Sequence, residues 1–395
     1  MSLFETIPLA PPDPILGLTE TFKADERAEK VNLGVGVFVD EKGRTPVLAC
    51  VANAERRLAE ASAPKAYLPI LGTPGFQALT QQLCFAQSRP AHLVTAQTPG
   101  GTGGLRVAAD LLARSFPKAS VWLSRPTWVN HQGVFAAAGF GLQHYPYFDA
   151  SLHGVGREAF FAALRAVPAG DIVLLHACCH NPTGADLTLE DWAQVATIAA
   201  EGGWLPFVDF AYQGFGDGLG EDAAGVRLLA EAGLSMVVAQ SFSKNFGLYQ
   251  DRVGALHFVC ASAEERNRLA SQLKVAIRVN YSNPPAHGGA IVAMILEDTL
   301  LAAQWETEVA AMRDRINGVR RDFVAALARA GVSRDFGFLT RQRGMFSFTG
   351  ITAEQVEQLR EEHAVYIVGS GRINVAGLTP GNLPHVVSAI KAVLG

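Results

Sequence analysis

Residues 205–244, LPFVDFAYQGFGDGLGEDAAGVRLLAEAGLSMVVAQSFSK, decide the fold. The stretch opens on the apolar run 205–208, crosses a helix-like segment and returns to a second apolar run at 236–239. Runs that are apolar throughout, rather than at alternate positions, suit strands covered on both faces. Their alternation with helix-like stretches is the pattern of a mostly parallel sheet. The same reading extends outward to candidate strands at 120–123, 172–175 and 255–259. The expected class is therefore α/β, with helices on both faces of the sheet.

Beyond this region the periodicity changes. Leu301, Trp305, Val309, Met312, Ile316, Val319, Phe323 and Leu327 recur at spacings of four and three, which predicts one long amphipathic helix over 301–330 ending at Gly331. Thr188 with Asp191, and Ser262 with Glu265, read as helix N-terminal caps. Short strands around 345–348 and 372–375, with a helix opening at Thr352 and Gln355, point to a second, smaller domain. The expected division is an N-terminal arm at 1–12, one part of the small domain at 13–46, a large domain at 47–300, and the connecting helix with the rest of the small domain at 301–395.

Composition bounds the function. Of 395 residues 49% are hydrophobic and 18% charged, a balance that supports a large core and excludes wholesale disorder. The formal charge of -4, without a cluster of Lys and Arg, argues against nucleic acid as a partner. The N-terminus carries acids and prolines instead of a basic segment and an apolar core, and no run reaches the length of a membrane span, so a cytoplasmic location is expected. Five cysteines without paired C-x-x-C spacing are expected to be free, reduced thiols.

Chemistry gathers after the candidate strands, where ligands bind in open α/β sheets. After 236–239 comes Ser241-Phe-Ser243-Lys244-Asn245, with Arg252 further on, a set that suits a phosphate and a carbonyl cofactor. Val208-Asp209-Phe210-Ala211-Tyr212 puts a carboxylate directly after an apolar strand, where an unpaired charge is expensive, so a buried cation is expected beside it. The protonated pyridine nitrogen of pyridoxal phosphate is one such partner; a structural arginine is another. Pro99-Gly100-Gly101-Thr102-Gly103-Gly104 precedes a helical pattern at 105–116 and could bring backbone N–H groups to an anion, although such glycines also serve as a plain turn. His176-Ala-Cys178-Cys179-His180 admits a metal reading, and with it a metal-dependent hydrolase using His176 and His180. The segment nevertheless continues a strand into the turn Asn181-Pro182-Thr183-Gly184, where a cis proline could fix the Asn181 side chain, and no metal is expected.

Taken together, Gly100-Gly101-Thr102, Trp128 in Pro-Thr-Trp-Val-Asn-His, Asn181-Pro182-Thr183-Gly184, Asp209-Phe-Ala-Tyr212, Ser241-Phe-Ser243-Lys244 and Arg372 resemble class I pyridoxal-phosphate aminotransferases, from Asp13-Pro14-Ile15-Leu16 to Val375-Ala376-Gly377. The bacterial aspartate and aromatic subgroup is the most similar. The resemblance implies a fold-type I transferase with pyridoxal 5'-phosphate on Lys244, which would also act as the base that moves the substrate's α-proton. It implies that Asp209 pairs with the ring nitrogen, backed by His131, and that Tyr212 and Asn181 bond the ring hydroxyl. Trp128 would stack on the ring, while Gly101, Thr102, Ser241, Ser243, Arg252 and a neighbouring subunit's Tyr67 would hold the phosphate.

For the substrate the resemblance implies a site at Gly36, Trp128, Asn181, Arg278 and Arg372. Arg372 would grip the α-carboxylate and Arg278, reaching across a homodimer, the distal carboxylate, both as planar forks. Val37, Thr45, Thr102 and Asn283 look like the aspartate-type pocket, whereas Val39, Ala66 and Tyr67-Leu68-Pro69 depart from it toward the aromatic enzymes. The expected reaction is reversible amino transfer between L-aspartate and 2-oxoglutarate in two half-reactions through pyridoxamine phosphate, with aromatic side activity. An aromatic-amino-acid aminotransferase is the alternative.

Overall fold

The computed structural model describes residues 2–10 and 16–395; of the Asp13-Pro14-Ile15-Leu16 match only the Leu16 backbone lies within them. A seven-stranded sheet runs in the order Leu93–Pro99, Val253–Val259, Met236–Ser241, Leu205–Phe210, Ile172–His176, Ser120–Arg125, Gly141–Pro146. The five expected strands are all in it. The apolar-run criterion passes over the two outer ones for physical reasons. In Leu93–Pro99 the polar Thr95 and Gln97 are buried because the His257 side chain and the Pro285 carbonyl satisfy them, and Gly141–Pro146 is an edge strand with its outer positions exposed.

Neighbouring strands pair in parallel except at Val253–Val259, which is antiparallel to both its neighbours and departs from the regular strand–helix alternation. Such a strand enters the sheet at the edge where the parallel strands end. Val253 lies opposite Pro99, and Gly254 opposite Thr98 on one side and Ser241 on the other, so Arg252 is delivered to the carboxyl edge. Gly254 is required there: a Cβ would stand 2.6 Å from the Gln240 carbonyl oxygen and 2.7 Å from the Gly100 carbonyl carbon.

Strand side chains alternate between faces. Phe207, Val237, Ala239, Leu256 and Phe258 pack with helices Gly100–Ser115, Val129–Ala137 and Ala263–Asn280. Val208, Phe210 and Val238 pack the other way, with Phe76, Phe85 and Trp192 among their companions. Helix Gly100–Ser115 corrects the sequence reading, since its first turn is made of the glycines assigned to a preceding loop. Gly100 has φ +71°, and a Cβ on it would meet the Arg252 guanidinium at 2.4 Å.

The long helix spans Thr299–Arg329 and is capped by Asp298, whose Oδ1 accepts the Leu300 and Leu301 N–H groups. Its buried stripe follows the expected residues with one exception: Arg320, 1% exposed, is fully buried and Val319 only partly. The Arg320 guanidinium donates to the Gly344 carbonyl, to Asn317 Oδ1 at 2.8 Å and to Ser347 Oγ at 3.4 Å, and burial pulls its pKa down to about 10. Leu301 to Ile316 contribute to the core of the central sheet. Phe323 and Leu327 enter another core with Val31, Leu33, Leu359, Ile373 and Val386. In this second core Val31–Asn32 pairs in parallel with Val365–Tyr366, and Phe346–Phe348 antiparallel with Arg372–Asn374.

Thr188 and Thr352 close full capping boxes with Asp191 and Gln355. Ser262 caps through the Glu265 N–H, while the Glu265 carboxylate turns to the Ala261 N–H instead. No single helix among the described residues is long and apolar enough to cross a membrane.

Helix Ala49–Ala61 has no capping side chain of its own. Glu308 of the long helix supplies one from a distance, accepting the Ala49 and Cys50 N–H groups at 2.7 and 3.1 Å. Glu308→Ala is expected to lower stability by about 1 kcal/mol, the usual worth of an N-cap, read as a fall in the denaturant midpoint at unchanged slope.

Candidate active site

A cavity of about 530 Å³ opens at the carboxyl edge of the sheet, lined by Gly36, Gly101, Thr102, Trp128, Asn181, Asp209, Tyr212, Ser241, Ser243, Lys244, Arg252 and Arg372 among others. Residues from widely separated parts of the sequence meet here because each follows a different strand to the same edge.

One end is built for an anion. Helix Gly100–Ser115 begins at Pro99 without a capping side chain, so its first N–H groups are free, and Gly101 and Thr102 face the cavity. Ser241 Oγ lies 3.3 Å from Ser243 Oγ, and Arg252 Nη1 donates to Ser243 Oγ at 3.2 Å and to the Tyr249 carbonyl at 3.0 Å. Among the described residues no carboxylate pairs with Arg252.

Asp209 sits at the middle, 9% exposed, on the sheet face shared with Phe207. The buried cation sought beside it is approached from within the protein by a histidine: His131 Nε2 is 2.9 Å from Asp209 Oδ2. His131 Nδ1 is 2.8 Å from Thr127 Oγ1, which is 3.2 Å from His176 Nε2, and the Asn181 N–H approaches His176 Nδ1 at 3.5 Å. Burial drops the His176 pKa to about 3, so this ring is neutral. Because the amide can only donate, His176 carries its proton on Nε2 and gives it to Thr127, whose hydroxyl points on to His131 Nδ1. His131 is thereby left with an Nε2–H aimed at Asp209. Burial pushes the Asp209 carboxyl up, but the His131 hydrogen bond and the positive charge of Lys244 outweigh it and hold it below the usual carboxylate range.

Among the described residues Lys244 forms no hydrogen bond or ion pair; its Nζ stands 4.7 Å from the centre of the Tyr212 ring. Burial lowers its pKa to about 8, against the pull of Asp209 and with some help from Arg252. Tyr212 is pushed up by burial and stays protonated. An amine near neutrality beside a fixed carboxylate is a group that can both add to a carbonyl and carry a proton.

The other end also seeks an anion. Arg372, 3% exposed, donates to Asn181 Oδ1 at 3.3 Å and to the Gly34 carbonyl at 2.5 Å, and stacks 4.2 Å over Phe346. Its Nε is buried without a partner, and no carboxylate pairs with it among the described residues. Gly36 makes room for this stack, since a Cβ there would come within 2.8 Å of Phe346 Cζ. The Asn181–Pro182 bond is cis.

Three predicted residues lie outside the cavity lining. His131 stands behind Asp209, and Tyr67 (91% exposed) and Arg278 are on the surface, Arg278 bonded to Ser282 Oγ. Asn283 donates to the Leu68 carbonyl, and Thr45 is exposed. Sequence reasoning missed Thr127 and His176 as relays, Phe346 beneath Arg372, and Asn374, whose Nδ2 holds the Val35 and Val37 carbonyls at 2.7 and 2.8 Å. Thr127 was within reach, four residues before His131; Phe346 and Asn374 carry no local signal. The ring nitrogens of His180 are taken by Ser124 and Thr183, its ring stacks on Tyr147 at 4.1 Å, and those of His176 serve the relay, so this pair is not arranged as metal ligands. All five cysteines are free and buried.

Fold and cavity define an α/β enzyme in which a lone lysine, a buried acid and two anion-seeking ends share one site. The chain belongs to the class I and II aminotransferases, whose family pattern it matches over residues 28–390. It is 53% identical over 396 residues to the aspartate aminotransferase of Salmonella typhi, covering 99% of this chain and 100% of that one. It is 48% identical over 397 residues to the aromatic-amino-acid aminotransferase of Pseudomonas aeruginosa, covering 100% and 99%. The crystal structure of the aromatic-amino-acid aminotransferase from Burkholderia pseudomallei, covalently bound to pyridoxal phosphate, superimposes with a TM-score of 0.97 at 50% identity over 100% of both chains.

The lowered Lys244 pKa has a testable sign. A depressed lysine is already half unprotonated near pH 8, whereas surface lysines reach that point near about pH 10.4. In cofactor-free protein at pH 8, Lys244 is expected to react with an amine-directed acylating reagent ahead of the surface lysines, its rate rising to a plateau with a midpoint near 8 by peptide mass spectrometry.

Proposed function

We propose that the protein transfers amino groups reversibly between L-aspartate and 2-oxoglutarate in two half-reactions, using pyridoxal 5'-phosphate bound at Lys244. The observation that carries this reading is a lysine amine set beside Asp209, between two arginines, all three without ion-pair partners among the described residues. The residues fit the cofactor. Gly101, Thr102, Ser241, Ser243 and Arg252 would hold its phosphate, Trp128 its face, Tyr212 and Asn181 its ring hydroxyl, and Asp209 its pyridine nitrogen. When bound, the group supplies an electron sink for the substrate's α-carbon.

The chain's own part is binding, orientation and proton movement. Arg372 takes the α-carboxylate with a guanidinium already stacked and half bonded, so little order remains to be imposed. Asp209, held ionised by the His131 relay, would favour a proton on the ring nitrogen. Lys244, with its amine near neutrality, would take the substrate's α-proton on Nζ and hold it for return. Val35, Val37, Leu105, Val129 and Phe346 give the cavity apolar walls, which supports slower turnover of phenylalanine and tyrosine.

Tyr67 and Arg278 complete the site from a second copy of the chain in this reading. Its support is their exposure here, along with that of Leu3, Phe4, Ile7 and Leu9 in the N-terminal arm. In this reading the described residues of 13–46, together with 301–395, form the smaller domain, which brings Gly36 and Arg372 to a site otherwise built on the sheet of 47–300. Free, buried thiols support a cytoplasmic location.

On adding L-aspartate the absorbance of the lysine-bound cofactor is expected to give way to that of the amine form, faster than with L-phenylalanine, and Lys244→Ala is expected not to turn over. A protein showing no cofactor band after incubation with pyridoxal phosphate sinks the reading. For the shared site, Lys244→Ala and Arg278→Ala subunits, each nearly inactive on aspartate, are expected to regain activity when unfolded and refolded together, because a hybrid dimer contains one intact site. Failure to complement, with dimers present by sedimentation, would place Arg278 outside the site.

A further inference from the structure

On the sheet face opposite Asp209 and Ser241 lies a buried polar chain that the proposed chemistry does not use. Gln81 Nε2 donates to Thr95 Oγ1 at 2.8 Å, and Thr95 Oγ1 is 2.9 Å from His257 Nδ1. His257 Nε2 is 3.2 Å from Gln240 Oε1, and Gln240 Nε2 donates to Gln213 Oε1 at 2.7 Å. Gln213 Nε2 ends the chain on the Leu83 and Leu219 carbonyls at 3.1 and 2.9 Å. Thr95, Gln213, Gln240 and His257 are each at most 2% exposed.

The direction of every bond is forced. The two carbonyls only accept, so Gln213 must turn its amide nitrogen to them and its oxygen to Gln240. Gln240 then offers its nitrogen to Gln213 and its oxygen to His257. His257 must carry its proton on Nε2, and its bare Nδ1 takes the Thr95 hydroxyl hydrogen. A chain with a single consistent polarity in a dry interior has few alternatives and holds its members rigidly.

Its members adjoin the site. Gln240 precedes Ser241 on the same strand, with side chains on opposite faces, and Gln213 follows Tyr212. The ladder between Leu205–Phe210 and Met236–Ser241 ends at the pair Phe210 and Gln240. Past that rung, the hydrogen bonds among the described residues that tie the Tyr212 segment to the Lys244 segment both fall on Gln213. One comes from Gln240 Nε2 and the other from Asn245 Nδ2 to the Gln213 carbonyl at 3.1 Å.

We infer that Gln240, acting through Gln213, is a positioning residue for the reaction: it fixes Tyr212 against Lys244 where the sheet's own hydrogen bonds have run out. The inference rests on the function proposed above. Gln240→Met keeps the shape and removes the link, Gln240→Asn keeps an amide too short to span it, and Gln81→Met breaks the chain at its far end while leaving the link intact. In the cofactor-loaded protein, Gln240→Met is expected to lower kcat for aspartate by roughly tenfold or more with a smaller change in KM. The pH midpoint of the lysine-bound cofactor band is expected to move by about half a unit or more. Gln240→Asn should shift both in the same direction by less, and serves if the methionine variant does not fold. Gln81→Met should lower the thermal midpoint alone. The inference is overturned if the Gln240 variants lose thermal stability with kcat and band midpoint unmoved, or if Gln81→Met moves them equally. Absence of the band from the parent protein overturns the functional reading and this inference with it; an unmoved band in the variants overturns this inference alone.

Discussion

A carboxylate at the end of a buried strand is the constraint on which the rest of this structure depends. Asp209 cannot stay ionised in an apolar interior without compensation, and isolated it would take up a proton instead. The fold answers with a histidine whose proton position is dictated through Thr127, His176 and the Asn181 backbone. Two strand-end segments, His176 with the turn at Asn181 and the Thr127 turn with the helix carrying His131, are thereby committed to one task, and neither can move without disturbing the other. The same carboxylate acts on Lys244, opposing the effect of burial and leaving the amine near neutrality instead of far below it.

The two ends of the cavity follow another constraint. Among the described residues Arg252 and Arg372 are left without carboxylates, so the site is short of negative charge until anions arrive. Withholding a carboxylate from the buried Arg372 lowers stability, and that expense is tolerated where an incoming anion recovers it; Arg252 is exposed to solvent and costs less to leave open. Their placement comes from topology. The antiparallel strand delivers Arg252 to the edge shared with Gly100 and Ser241, and the second core carries Arg372 on a short strand whose Asn374 also holds the loop around Gly36. The long helix Thr299–Arg329 feeds both cores, with Arg320 at the passage between them.

Much of this was legible in the sequence, and the exceptions share a cause. Strands buried on both faces announced themselves because burial on two sides leaves an unbroken apolar run. Leu93–Pro99 did not, because Thr95 and Gln97 are made harmless by His257 and the Pro285 carbonyl, distant in sequence. Helix caps at Thr188 and Thr352 were readable because capping is local, whereas the cap of Ala49–Ala61 comes from Glu308 and leaves no mark beside that helix. Val319 fitted the apolar period of the long helix better than Arg320, yet Arg320 is the buried one, since its guanidinium finds a carbonyl, a hydroxyl and an amide oxygen inside.

By itself, then, the sequence determined the class of fold, the family and most of the side chains that line the cavity, because strand burial, helix period and short motifs are properties of neighbouring residues. Only the tertiary structure decided how those groups are tuned: the antiparallel entry of Arg252, the relay that fixes the His131 proton, the pairing of Arg372 with Phe346 and Asn181, and the polar chain beneath Gln240. Each of these depends on distance and dielectric between residues far apart along the chain, and a linear pattern holds neither quantity.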